Sequence, residues 1–146
     1  MSLIKFKPLH DEFGARVTGV DLSAALADED VAAIRDAMDE YSVLCFSDQQ
    51  MTDDAHLAFT KNLGEPEPNH VIFGATGEVN YFGTIGNVID AENKKGNSDP
   101  HTRYQSGNNL WHSDSSFRLV PAKFTINHAY EVPDEGGVTE FASQRL

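Results

Sequence analysis

Apolar and polar positions alternate from the start of the chain: Leu3, Ile4 and Phe6, followed by the stretch 15–22, predict two short strands around a turn at Phe13-Gly14, and Gly19 permits another bend. The pattern then lengthens. Val31, Ile34, Met38 and Tyr41 recur at helical spacing behind Asp28, Glu29 and Asp30, which predicts an amphipathic helix with Asp28 as its N-cap. Residues 42–46 read as an apolar strand. Thr52 is placed as the cap of a second helix carrying Ala55, Phe59 and Leu63 on one side, and Gly64 with Pro66 ends it. After residue 66 the pattern turns to strand and loop, with apolar runs at 70–73 and 79–82 and an aperiodic connection over 87–109 rich in Gly, Asn, Asp and Lys. Strands are predicted again at 110–114, 122–132 and 138–142. In the middle one Phe124, Ile126, His128, Tyr130 and Val132 share a face, and Asp134-Glu135-Gly136-Gly137 marks the turn that follows. Two early helices followed by strands that return through Gly-rich turns predict an α+β chain with a sandwich or jelly-roll core.

Composition narrows the partners. The 146 residues carry 11 Lys plus Arg against 23 Asp plus Glu, a formal charge of −12. Phosphate binding relies on clustered cations, and only Lys94-Lys95 approaches a cluster, so nucleic acid is excluded as a general partner. No apolar run is long enough for a membrane span, and the N-terminus lacks the apolar core of a secretion signal. The single cysteine, Cys45, lies in the run Val43-Leu44-Cys45-Phe46, which predicts a buried thiol, no disulfide framework and a cytoplasmic setting.

The chemistry centres on Trp111-His112-Ser113-Asp114. On a strand, positions two apart face the same way, so the imidazole of His112 and the carboxylate of Asp114 can converge on one metal ion. They would form two-thirds of the 2-His-1-carboxylate facial triad that holds Fe(II) with open positions. As a bare motif the pair is common by chance among 6 His and thirteen aspartates, and a core histidine beside a turn-capping aspartate is the plainer reading. Trp111 then points away from the pair and packs, His128 sits on an apolar face as a core histidine, and Arg118 and Lys123 are solvated edge charges. His10, His56 and His101 lie in polar contexts and carry no assigned role.

The longer string Gly107-Asn108-Asn109-Leu110-Trp111-His112-Ser113-Asp114-Ser115-Ser116-Phe117-Arg118, followed by Pro121-Ala122 and by Gly136-Gly137-Val138-Thr139-Glu140-Phe141-Ala142, resembles the taurine and 2,4-dichlorophenoxyacetate dioxygenase family. Gly19-Val20-Asp21-Leu22 and the passage from Phe59 to Glu65-Pro66 follow the same family in order, and the Trp-His-Ser-Asp-Ser-Ser-Phe run is similar to the dichlorophenoxyacetate branch. The resemblance implies an Fe(II)- and 2-oxoglutarate-dependent oxygenase on a double-stranded β-helix, a jelly-roll variant with N-terminal helices. It makes His112 and Asp114 iron ligands and Thr139 a hydroxyl donor to a 2-oxoglutarate carboxylate. Asn108 falls at a position facing substrate and co-substrate, and His70 aligns with a position that binds the acidic head of the substrate. Phe73 would line an apolar pocket beside it.

The same resemblance requires a second histidine and an arginine for the distal carboxylate of 2-oxoglutarate, both far downstream of His112. Neither is present. Residues 1–146 are therefore expected to be the N-terminal portion of a single catalytic domain, its barrel incomplete and its C-terminal portion absent. Such a chain alone is expected to be inactive and poorly soluble, with open strand edges that favour a homo-oligomer. The complete protein would use O2 to hydroxylate a small organic acid, an aryloxyalkanoate first and an alkyl sulfonate second, releasing succinate and CO2. Two other readings of His112 and Asp114 stand beside this one: a zinc site that activates water for hydrolysis, and a non-catalytic binding module in which the pair is vestigial.

Overall fold

The computed structural model describes residues 2–68, 81–83, 85, 96 and 98–145, with the side chains of residues 101, 104–106 and 108 left out. These residues divide into two compact units, one of residues 1–66 with 126–146 and one of residues 67–125.

In the first unit β1 (Lys5–Pro8) and β2 (Ala15–Thr18) pair antiparallel, Lys5 opposite Thr18 and Pro8 opposite Ala15. The turn between them closes where the amide of Leu9 donates to the carbonyl of Gly14 at 2.8 Å. β2 alternates as its sequence requires: Ala15 and Val17 are buried while Arg16 and Thr18 face out. Its other edge pairs in parallel with β3 (Leu44–Phe46), Ala15 opposite Leu44. A parallel pair needs a crossover, and α1 (Asp28–Tyr41) supplies it.

α1 starts one residue earlier than its acidic run suggested. Ala27 is the N-cap and no side chain caps it, so Asp28 is the first helical residue, and Asp28, Glu29 and Asp30 act on the helix dipole instead. At the other end Ser42 takes a left-handed conformation, φ 64, and its amide donates to the Met38 carbonyl at 2.9 Å. In α2 (Asp53–Leu63) the Thr52 side chain accepts from the amide of Ala55 at 3.2 Å, as expected of a cap, and Gly64 ends the helix.

The core forms where these elements meet. Leu22, Ile34 and Phe59 are its buried centre, and Ile4, Val20, Leu26, Leu44, Phe46, Met51, Leu63 and Ile126 pack on it. Phe46 and Phe59 meet edge to face with centroids 6.0 Å apart. Gln49 ties the loops over this core: its side chain accepts from the Leu22 amide at 2.8 Å and donates to the carbonyls of Val20 and Ser47. Cys45 contradicts the expected burial. With Leu44 and Phe46 turned to the core, the strand's alternation puts the thiol on the outer face, where it is exposed.

The second unit carries α3 (Pro100–Gln105), continued by one 3-10 turn (Ser106–Asn109). The carboxylate of Asp99 accepts from the Thr102 amide at 3.2 Å, and the Arg103 amide donates to the Asp99 carbonyl. Three predicted strands differ from what is observed. Residues 110–114, 122–132 and 138–142 form no ladder among the described residues, because a strand is defined by a hydrogen-bonding neighbour and none is described beside them. The period of two still governs part of the burial: Ile126 and His128 are half-buried and Asn127 and Ala129 exposed. The predicted strand at 70–73 lies outside the described residues, and no described helix is long and apolar enough to cross a membrane.

Candidate metal-binding site

His112 and Asp114, two residues apart, converge on backbone that forms no strand ladder among the described residues. Nε2 of His112 lies 3.2 Å from Oδ1 of Asp114, and both side chains are about half exposed, 45% and 50%. The backbone runs irregularly to His112 and then turns over 114–117, with Ser115 at φ 55. Nδ1 of His112 is 2.7 Å from the carbonyl of Leu110. A carbonyl only accepts, so Nδ1 donates its N–H there, and Nε2 is the ring atom left facing Asp114.

This is the arrangement a divalent ion asks of two ligands. A metal-bound histidine ordinarily gives its other ring N–H to a carbonyl or carboxylate, which fixes ring and tautomer. Two donors that bind one ion side by side at about 2.1 Å stand about 3 Å apart, close to the observed 3.2 Å. An imidazole nitrogen and a carboxylate oxygen also match the ligand preference of Fe(II). Among the described residues no third His, Cys, Asp or Glu joins them. The two therefore fit a metal as a partial ligand set.

The turn is braced from behind. Arg118 is ion-paired with Glu67, and its guanidinium also donates to the Pro68 carbonyl at 3.3 Å. The hydroxyl of Ser115 lies 3.5 Å from both carboxylate oxygens of Glu67. Arg118 is thus half-buried and ion-paired, not the solvated edge charge that the sequence suggested; no local pattern links it to Glu67, far back in the chain. Lys123 lies over the ring of Phe124, 5.0 Å from its centroid. Trp111, expected to pack, is 70% exposed.

The remaining candidates fall elsewhere. Thr139 is exposed and belongs to the first unit, just past the turn where Gly136 and Gly137 take φ 77 and 63. For Asn108 the backbone alone is described, in the 3-10 turn, and His70 and Phe73 lie outside the described residues. The first unit also holds a group that the sequence gave no reason to single out. His56 is buried, not in the polar setting its neighbours implied, with the half-buried His128 edge-on to it and Tyr130 donating its hydroxyl to Asp53. Burial pushes the His56 pKa down and a charge on His128 lowers it further, against the opposing pull of Asp53 and the Ile126 backbone. Asp53, by accepting from Tyr130, raises the phenol's pKa.

The family model of the taurine catabolism dioxygenase TauD, TfdA family matches residues 5–146, and the chain belongs to that family. Membership implies the jelly-roll fold of Fe(II)/2-oxoglutarate enzymes, of which the described residues show a three-stranded partial sheet with its helices. The chain is 35% identical to the alpha-ketoglutarate-dependent 2,4-dichlorophenoxyacetate dioxygenase of Cupriavidus pinatubonensis, over 94% of this chain and 49% of that protein. It is also 35% identical to the (S)-phenoxypropionate/alpha-ketoglutarate-dioxygenase of Sphingobium herbicidovorans, over 94% of this chain and 44% of that one. A crystal structure of AAD-2 in complex with Mn(II) and N-oxalylglycine superimposes with a TM-score of 0.68 at 33% identity, over 82% of this chain and 39% of that one. The chain spans about half the length of the curated relatives it matches.

Proposed function

We propose that residues 1–146 supply the N-terminal part of the catalytic domain of an Fe(II)- and 2-oxoglutarate-dependent dioxygenase, built on a double-stranded β-helix, that hydroxylates a small organic acid. The observation that carries this is the donor pair itself: Nε2 of His112 and Oδ1 of Asp114 at 3.2 Å, with the imidazole anchored on Leu110. An aryloxyalkanoate is the first substrate class, supported by the names of the relatives from Cupriavidus and Sphingobium, and an alkyl sulfonate the second. AAD-2, crystallised with Mn(II) and an analogue of 2-oxoglutarate, supports the choice of co-substrate.

When bound, Fe(II) with 2-oxoglutarate and O2 supplies the oxidising power for C–H hydroxylation, with succinate and CO2 as the other products. This chain's residues hold and orient. His112 would offer Nε2, its Nδ1 being held on the Leu110 carbonyl, and Asp114 a carboxylate that offsets the cation's charge. By resemblance to the family, Thr139 would donate its hydroxyl to a carboxylate of 2-oxoglutarate, Asn108 would face co-substrate and substrate, and His70 and Phe73 would receive the acid head and the apolar body of the substrate. The single free thiol suits a reducing cytoplasm.

Mn(II) titration followed by the loss of its free-ion EPR signal tests the site in the 146-residue chain. The expected result is weak binding that tightens with 2-oxoglutarate and falls at least about tenfold in His112→Ala and Asp114→Ala. Equal Mn(II) affinity in all three chains would overturn the assignment. Succinate release by this chain alone is expected to be absent.

A further inference from the structure

We infer that Glu67 and Arg118 are positioning residues for the metal-binding turn: their ion pair, with Ser115 leaning on the same carboxylate, fixes the segment that aims Asp114 at His112. The inference rests on the site assignment above and adds residues outside the His112–Asp114 pair.

The geometry runs in one unbroken chain of contacts. Asp114 is followed at once by Ser115, whose backbone is left-handed, φ 55, a conformation that a non-glycine residue holds only when its surroundings impose it. The amide of Arg118 donates to the Ser115 carbonyl at 3.0 Å and closes the turn. From that closed turn two side chains reach back to one carboxylate: the Ser115 hydroxyl at 3.5 Å from each oxygen, and the Arg118 guanidinium in the ion pair. Arg118 also donates to the Pro68 carbonyl, so it grips backbone as well as side chain. Pro68 stiffens that anchor, since its ring fixes φ.

Charge and burial support a positional role. The two side chains are 31% and 27% exposed, too wet for the pair to contribute much stability by attraction alone. A planar guanidinium that engages a carboxylate and a carbonyl together does restrict geometry, however, and a turn pinned at both ends has fewer ways to rotate Asp114 away. Metal affinity is sensitive to such restriction, because a ligand that must be reoriented on binding loses conformational freedom at that moment.

The test compares Glu67→Gln, Arg118→Lys and Ser115→Ala with the parent chain, using Mn(II) affinity by EPR and amide exchange of residues 114–118 by mass spectrometry, with His112→Ala as the reference for the site. Glu67→Gln and Arg118→Lys are expected to weaken Mn(II) about tenfold and to speed exchange at the Arg118 amide. Ser115→Ala is expected to show a smaller loss in the same direction. Amides of α1, which belong to the other unit, should exchange as in the parent. Where they do not, the variant has unfolded and Ser115→Ala, which removes one hydroxyl, decides the matter. If His112→Ala weakens Mn(II) while the three variants bind and exchange like the parent, the positioning role is overturned and the site stands. If His112→Ala binds Mn(II) like the parent, the site assignment fails and this inference with it.

Discussion

The imidazole of His128 stands edge-on to that of His56, ring centroids 6.0 Å apart and planes at 73°, and through this contact residues 126–130 are joined to α2. Nε2 of His128 lies 3.2 Å from the Gln49 carbonyl, and its ring also meets Tyr130 at 4.7 Å. The charged and polar groups that act on the titration of His56 are His128, Asp53 and the Ile126 backbone, with Tyr130 held on Asp53.

Because burial depresses the pKa of His56 below its ordinary 6.5, the unfolded chain takes up a proton at this site before the folded one does. Stability from this residue is complete above about pH 6.5 and is lost as the pH falls toward the folded value. The thermal midpoint of the parent chain should thus decline on acidification below that point. In His56→Phe, which keeps an aromatic ring without a proton to gain, that part of the decline should vanish. An identical pH slope in both chains would count against the buried neutral imidazole.

Cys45 should react with Ellman's reagent in the native chain, giving one thiol equivalent without denaturant, since it is the sole cysteine and is exposed on the outer face of β3. Reaction only after unfolding would place the side chain inward.

Gly19 and Gly136 both have positive φ, 80 and 77, but differ in what surrounds them. A Cβ on Gly19 would come within 2.1 Å of the Leu3 carbonyl oxygen, whereas on Gly136 it meets nothing within 4 Å. Gly136→Ala is expected to cost about 1 kcal/mol from conformation alone. Gly19→Ala, which must also displace the backbone of Leu3, should cost at least about 2 kcal/mol. Urea melts of the two variants measure the difference, and equal losses would refute the contact.

Thr52→Ala should destabilise the chain by about 1 kcal/mol, because the hydroxyl that accepts from Ala55 disappears. Asp28→Ala removes no capping bond and only weakens a favourable dipole contact, about 0.5 kcal/mol. The same melts rank them, and a larger loss at Asp28 would contradict the assignment of Ala27 as N-cap.

These contrasts also mark what the sequence could disclose. Thr52, Phe59 and Gly64 specify α2 within a dozen residues, so cap, buried face and stop were all readable. The convergence of His112 and Asp114 is readable from their spacing of two, whereas the turn that follows at Ser115 is not. The run at 122–132 declares its apolar side in the middle, as the half-buried Ile126 and His128 show, while Tyr130, Val132 and all of 138–142 are exposed, and a ladder depends on a neighbour that no local pattern encodes. Cys45 was misjudged because an apolar run of four does not say which alternate residues face the core. Glu67 with Arg118, and His56 with His128, are pairs joined only by folding.

The strand pairing within Lys5–Pro8, Ala15–Thr18 and Leu44–Phe46 has a kinetic consequence. Every ladder of the described sheet is closed by the first third of the chain, through one tight turn and one helical crossover, and contacts so near in sequence form quickly. On a ribosome, which delivers the N-terminus first, this layer can assemble while the codons for His112 and Asp114 are still unread. Residues 112 and 114 then emerge after that layer has folded, and residues 126–146, of the same unit as the sheet, come last and add Ile126 to its core.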